Sequence, residues 1–120
     1  MTVPADLAFP GTARAAAVAG ESHELLRAML EERFAIHTAR LTELTVYGRV
    51  RAGAGYDPQT LEALMATARQ GVADNAQALR RMSEGTYGIC QDCGRSIPLG
   101  RLHAVPHARY CSMCRRRRSH

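Results

Sequence analysis

Cys90-Gln91-Asp92-Cys93 and Cys111-Ser112-Met113-Cys114 are two C-x2-C pairs with seventeen residues between them, and they hold all four cysteines of the chain. Two residues between cysteines let one tight turn aim both sulfurs at a single ion while its backbone N–H groups stay free to bond them. Gly94, just after the second cysteine, offers the permissive backbone such a turn needs. Two turns of this kind complete a tetrahedron, with no position left for water or substrate. The spacing therefore predicts one structural Zn²⁺ held by Cys90, Cys93, Cys111 and Cys114. A redox dithiol is the competing reading. It requires one pair rather than two, set on a strand-to-helix unit that this sequence does not show. His103 and His107 lie between the pairs and read as surface residues, because four thiolates already close the ligand set.

Upstream of the cysteines the pattern is helical. Leu30, Phe34, His37, Leu41 and Leu44 recur at spacings of 4, 3, 4 and 3, one apolar stripe on one helix face. Gly48 reads as a stop. Asp57-Pro58 restarts a helix, with Asp57 as N-cap and Pro58 in the first turn, where its missing N–H is not needed. Leu61, Met65, Ala68, Val72, Asn75, Leu79 and Met82 form the second stripe. Two stripes joined by a short link predict an antiparallel hairpin.

Folding the chain back near position 53 sets Leu44 by Leu61, Leu41 by Met65, His37 by Ala68, Phe34 by Val72 and Leu30 by Asn75. His37 and Asn75 read as polar seam residues that fix register. Gly71 costs about 1 kcal/mol of helix propensity relative to Ala.

The expected organisation is mainly α: a disordered tail over 1–20, a helical, coiled-coil hairpin over 21–84 with its tip near 48–57, a four-cysteine zinc finger over 85–114, and a basic tail over 115–120. At 120 residues and 5% aromatic, the chain can bury only a modest core, so a metal staple is the natural supplement. No apolar run is long enough to cross a bilayer and the first ten residues do not read as a secretory leader, which points to the cytoplasm and away from structural disulfides.

The net charge of +5 comes almost wholly from Arg115, Arg116, Arg117 and Arg118, so the basicity is a terminal run and not a face. Four thiolates on one dication would lower the net charge by two. Arg95, Arg109 and Arg115 flank the ligands and would favour their thiolate forms.

Residues between the cysteines carry a more specific signal. The stretch Gly85-Thr86-Tyr87-Gly88-Ile89-Cys90, then Ile97-Pro98, Arg101-Leu102, Pro106 and Ala108-Arg109-Tyr110-Cys111 closely resemble the DksA/TraR family of bacterial transcription regulators. The resemblance covers 85–114 almost without gaps and extends less specifically back to about residue 21. It implies a regulator that binds RNA polymerase rather than promoter DNA, reaching down the secondary channel with the coiled-coil tip. The family carries an Asp-x-x-Asp-x-Ala pattern at that tip. Here Asp57 keeps the first Asp, with Thr60 in place of the second and Glu62 in place of the Ala, beside Arg49 and Arg51.

Two other functions compete with a polymerase-binding regulator. In one, Arg115 to Arg118 contact nucleic-acid phosphates; in the other, the hairpin is a protein adaptor. An enzyme is the least supported class, since a closed metal site offers no Lewis acid and no nucleophile stands beside a base at helical spacing. No small-molecule substrate or membrane partner is implied.

Overall fold

The computed structural model describes residues 10–50 and 55–118; expectations for 1–9, for 51–54 including the fold-back near position 53, and for 119 and 120 fall outside the described residues. Helix α1 spans Pro10–Val50, α2 Pro58–Glu84, α3 Leu99–Ala104 and α4 Ser112–Arg118. Among the described residues there is no strand, only an isolated antiparallel bridge between Ile89 and Ser96. No helix there is long and apolar enough to cross a membrane. The chain is mainly α, an antiparallel hairpin of α1 and α2 followed by a small four-cysteine finger.

Helix α1 starts earlier than the apolar stripe does. Residues 10–20 continue it as helix where the sequence reading expects a tail. Pro10 suits a first helical position, and the Ala-rich stretch that follows has high intrinsic propensity without needing a buried stripe. Apolar periodicity reports packing and does not by itself mark where a helix begins.

Helix α2 begins as its sequence predicts. Asp57 Oδ1 accepts from Thr60 N–H at 2.8 Å, and the Thr60 hydroxyl donates to Oδ2 at 2.9 Å. Gly85 closes the helix at φ +79°, with the Gly85 N–H donating to Met82 O at 3.3 Å and the Thr86 N–H to Arg81 O at 2.9 Å. This left-handed cap satisfies carbonyls the helix end would leave open.

Two side-chain contacts define the close approaches along the seam. A β-carbon on Gly71 would meet the His37 ring at 2.5 Å, and one on Gly48 would meet Leu61 Cδ2 at 3.0 Å. The His37 ring thus lies against Gly71 and the Leu61 side chain against Gly48, each leaning toward the N-terminus of its own helix as helical side chains do. Both glycines are slots for a large side chain on the other helix, which a pairing by side-chain type alone does not foresee. Gly48 accordingly does not stop α1, which runs on to Val50. Asn75 is fully buried, but its amide donates to Gly71 O on its own helix at 2.7 Å and its Oδ1 has no partner. It contributes no cross-helix bond to the register.

At the base of the hairpin, Leu26 and Leu30 of α1 and Ala78 and Met82 of α2 are buried in one cluster with Cys90, Ile97, Leu102, Ala108 and Cys114. Each large apolar side chain removed from water there contributes about 1.5–3 kcal/mol. The cysteine-bearing segment is therefore seated on the hairpin. Tyr87 ties the parts together: its hydroxyl donates to Pro106 O at 2.8 Å and its ring meets His23 edge-on at 6.1 Å. Burial pushes its pKa up to about 12, so it remains a donor at any physiological pH.

Candidate metal centre

The first cysteine pair lies in a turn fixed by backbone hydrogen bonds. Cys90 N–H donates to Arg95 O at 2.8 Å and Gly94 N–H to Cys90 O at 3.0 Å, with Gly94 at φ +76°. Just before it, Gly88 O accepts from Ile97 N–H at 2.7 Å. The second pair brackets the start of α4, where Arg115 N–H donates to Cys111 O at 2.9 Å. Gln91 N–H donating to Arg109 O at 2.9 Å links the two turns.

These turns bring four sulfurs together. The Sγ atoms of Cys90, Cys93, Cys111 and Cys114 all lie within 4.8 Å of one another, and Cys93 and Cys111 stand 3.9 Å apart. In a tetrahedral site with Zn–S bonds of about 2.3 Å, sulfurs are separated by about 3.8 Å. A disulfide needs about 2.05 Å. The donor set and spacing fit one Zn²⁺ and do not fit paired disulfides. Cys90 and Cys114 are buried, Cys111 is half-buried and Cys93 is exposed, so one edge of the site faces solvent.

The thiols are unequally disposed to ionise. Burial raises the Cys90 pKa, but backbone N–H groups of Cys93, Cys111 and Asp92 outweigh it and bring the value down to about 6. The Cys114 N–H lowers that of Cys111 against burial, while burial pushes Cys114 up to about 12. Four negative sulfurs at these distances cannot all persist alone. A bound dication removes the conflict and stabilises all four as thiolates.

The other residues singled out from sequence fall differently. His103 is exposed, whereas His107 is half-buried, its Nε2 3.8 Å from Asp74 Oδ2 of α2. Asp57, Thr60 and Glu62 are all exposed at the hairpin tip, 28 or more residues along the chain from the cysteines. Asp57 and Thr60 bond each other, whereas Glu62 pairs with Arg69. Arg95 and Arg109 serve the site through their backbone carbonyls.

Sequence reading missed Arg117 and Arg118. The expected basic tail is the body of α4, and Arg117 Nη2 donates to Cys114 Sγ at 3.2 Å. Arg118 engages Asp92 at 3.2 Å. The available signal was the three-residue spacing from Cys114, once that segment is taken as helical.

A four-cysteine centre seated at the foot of a helical hairpin defines the class of protein. Residues 85–120 match the family described as the prokaryotic dksA/traR C4-type zinc finger. Two curated relatives match over stretches of similar length. An uncharacterised protein of Aquifex aeolicus is 54% identical over 37 residues, covering 31% of this chain and 26% of the relative. General stress protein 16O of Bacillus subtilis is 54% identical over 33 residues, covering 28% of this chain and 20% of the relative. The chain thus matches only about a quarter and a fifth of their lengths. Among solved structures, transcription factor DksA2 from Pseudomonas aeruginosa superposes with a TM-score of 0.72, covering 82% of this chain and 84% of its own, at 22% identity. At that identity the likeness is one of fold. Residues 85–120 thus match a C4-type zinc finger, and the four cysteines within them are placed to hold one zinc ion.

Proposed function

We propose that this protein is a non-enzymatic bacterial transcription regulator of the cytoplasm that binds RNA polymerase and reaches into its secondary channel with the hairpin tip. Cys90, Cys93, Cys111 and Cys114 hold one structural zinc ion that anchors the hairpin. The observation that carries this reading is a dksA/traR-type finger fused to a hairpin with the fold of a transcription factor over most of both chains. The 27 residues of α2 span about 40 Å, enough for a narrow probe. Asp57, Thr60 and Glu62 would be the contacting residues, and they are exposed where the probe ends.

The test is co-purification with core polymerase, followed by photo-cross-linking from an engineered residue beside Asp57. Cross-links to the channel lining support the reading. Cross-links confined to outer surfaces of the polymerase defeat it.

A nucleic-acid reading would use Arg115 to Arg118. Four phosphate contacts on duplex DNA give a log–log salt slope of about −3.6. Arg117 and Arg118 already engage Cys114 and Asp92, so this reading requires those contacts to break. A third reading, a helical adaptor, is separated by whether polymerase is the species retained.

A further inference from the structure

Helix α4 is seven residues long, carries Cys114 in its first turn and ends in four arginines. Three and four positions beyond Cys114, Arg117 and Arg118 come round to the cysteine's side of the helix. Arg117 Nη2 donates to Cys114 Sγ at 3.2 Å. Arg118 takes both carboxylate oxygens of Asp92, Nε at 3.2 Å and Nη2 at 3.3 Å, and its guanidinium lies 4.3 Å over the Tyr110 ring. Asp92 belongs to the first cysteine pair and Cys114 to the second. One turn of helix therefore grips both halves of the ligand set.

The placement matters because the site has an open edge. Cys93 is exposed, and Asp92, Cys93, Arg117 and Arg118 line one surface cleft beside it. A second cleft is lined by Cys93, Cys111, Cys114 and Arg117 among others, so Arg117 borders both openings through which a chelator or competing thiol reaches the ligands. Four thiolates on a dication also leave two negative charges, and a guanidinium N–H bonded to a thiolate offsets part of that excess.

We propose that Arg117 and Arg118 form a clamp on the metal centre, Arg117 at the Cys114 sulfur and Arg118 through Asp92, and that together they slow the loss of zinc. Both act through the ligands and are positioning residues. The inference rests on zinc occupying the four cysteines and is independent of polymerase binding, so either can fail without the other.

The experiment uses the full-length zinc-loaded protein with Arg117→Met, Arg118→Met, Arg117→Lys and, as a control on the same helix, Arg116→Met. Transfer of zinc to a chromogenic chelator is followed in time, and iodoacetamide labelling of each cysteine is followed by mass spectrometry. Arg117→Met and Arg118→Met should each speed transfer about tenfold or more, the scale of losses at groups that support metal ligands. Arg117→Lys should fall between wild type and Arg117→Met, and Arg116→Met should stay within twofold of wild type. Cys114 should label earlier in Arg117→Met and Cys93 earlier in Arg118→Met. Transfer within twofold of wild type in both clamp variants overturns the proposal, as does an Arg116→Met rate equal to that of Arg117→Met. A clamp variant isolated without zinc supports it when Arg116→Met keeps its metal and overturns it when Arg116→Met loses metal too.

Discussion

The His37 imidazole fills the space where a β-carbon on Gly71 would stand, with Cγ and Nδ1 both 2.5 Å from that point. These atoms lie at the root of the ring and cannot swing aside as the end of a long side chain can. Replacing Gly71 by Ala gains about 1 kcal/mol of helix propensity. Forcing an extra carbon into a filled site costs about 1–3 kcal/mol. Gly71→Ala should therefore lower stability by roughly 1 kcal/mol in urea unfolding, whereas an ordinary exposed helix glycine would gain. Adding His37→Ala should reverse the sign, because the smaller residue vacates the slot. A stabilising Gly71→Ala on the wild-type background would show that the two helices are not in this register.

A second close approach shapes the tip. Gly55 sits at φ +80°, and a β-carbon there would fall 1.5 Å from Tyr47 Oη. That oxygen accepts the Tyr56 N–H at 3.2 Å, and the two tyrosine rings stand 5.4 Å apart. Gly55→Ala must displace the Tyr47 ring and strain the backbone together. We expect faster hydrogen exchange at the Tyr56 amide and unchanged exchange at the Cys90 and Ile97 amides. Equal protection of Tyr56 in both proteins would remove Tyr47 from any role in ordering the turn.

Much of this was legible because it depends on residues a few positions apart. The cysteine pairs and the Asp57 cap read correctly from local spacing, and so does the existence of two packed helices. What depends on three-dimensional phase did not. The two slots were hidden because Gly71 and Gly48 look like defects in a single helix and become slots only when the partner is in place. Arg117 was hidden for a similar reason, since its reach to Cys114 follows from α4 being helical through the arginine run. Asn75 was misread because a polar residue on a seam can bond along its own helix as well as across.

Zinc removal should act from one end of the molecule. Cys90 and Cys114 belong to the same buried cluster as Leu26, Leu30 and Met82, so loss of the ion frees the seat on which the hairpin base rests. A strong chelator, or Cys90→Ser, should expose amides of the finger and of the Leu26 to Leu30 turn first. The α1–α2 contact near Gly48 and Leu61 lies outside that cluster and should keep its protection longer. The reduced protein should carry one equivalent of zinc. Full native protection in a metal-free sample would contradict the anchoring role.

His107 sets an acid limit on the same junction. Burial lowers its pKa below the ordinary 6.5, with Arg33, His37 and Arg81 acting in the same sense and Asp74 pulling the other way. Its Nδ1 is buried without a partner, so the neutral ring is the form the fold accepts. Between 6.5 and the lower folded value the unfolded chain holds the extra proton. This contribution to stability is therefore complete above pH 6.5 and is lost as pH falls through the folded pKa. Acid also protonates thiolates and releases zinc, so the comparison must separate the two. Urea unfolding of wild type and His107→Gln at matched zinc, at about pH 7.5 and about pH 5.5, does so, since both proteins share the cysteine titration. The wild type should lose more stability between the two conditions than His107→Gln does. Parallel losses would assign the whole acid sensitivity to the metal centre.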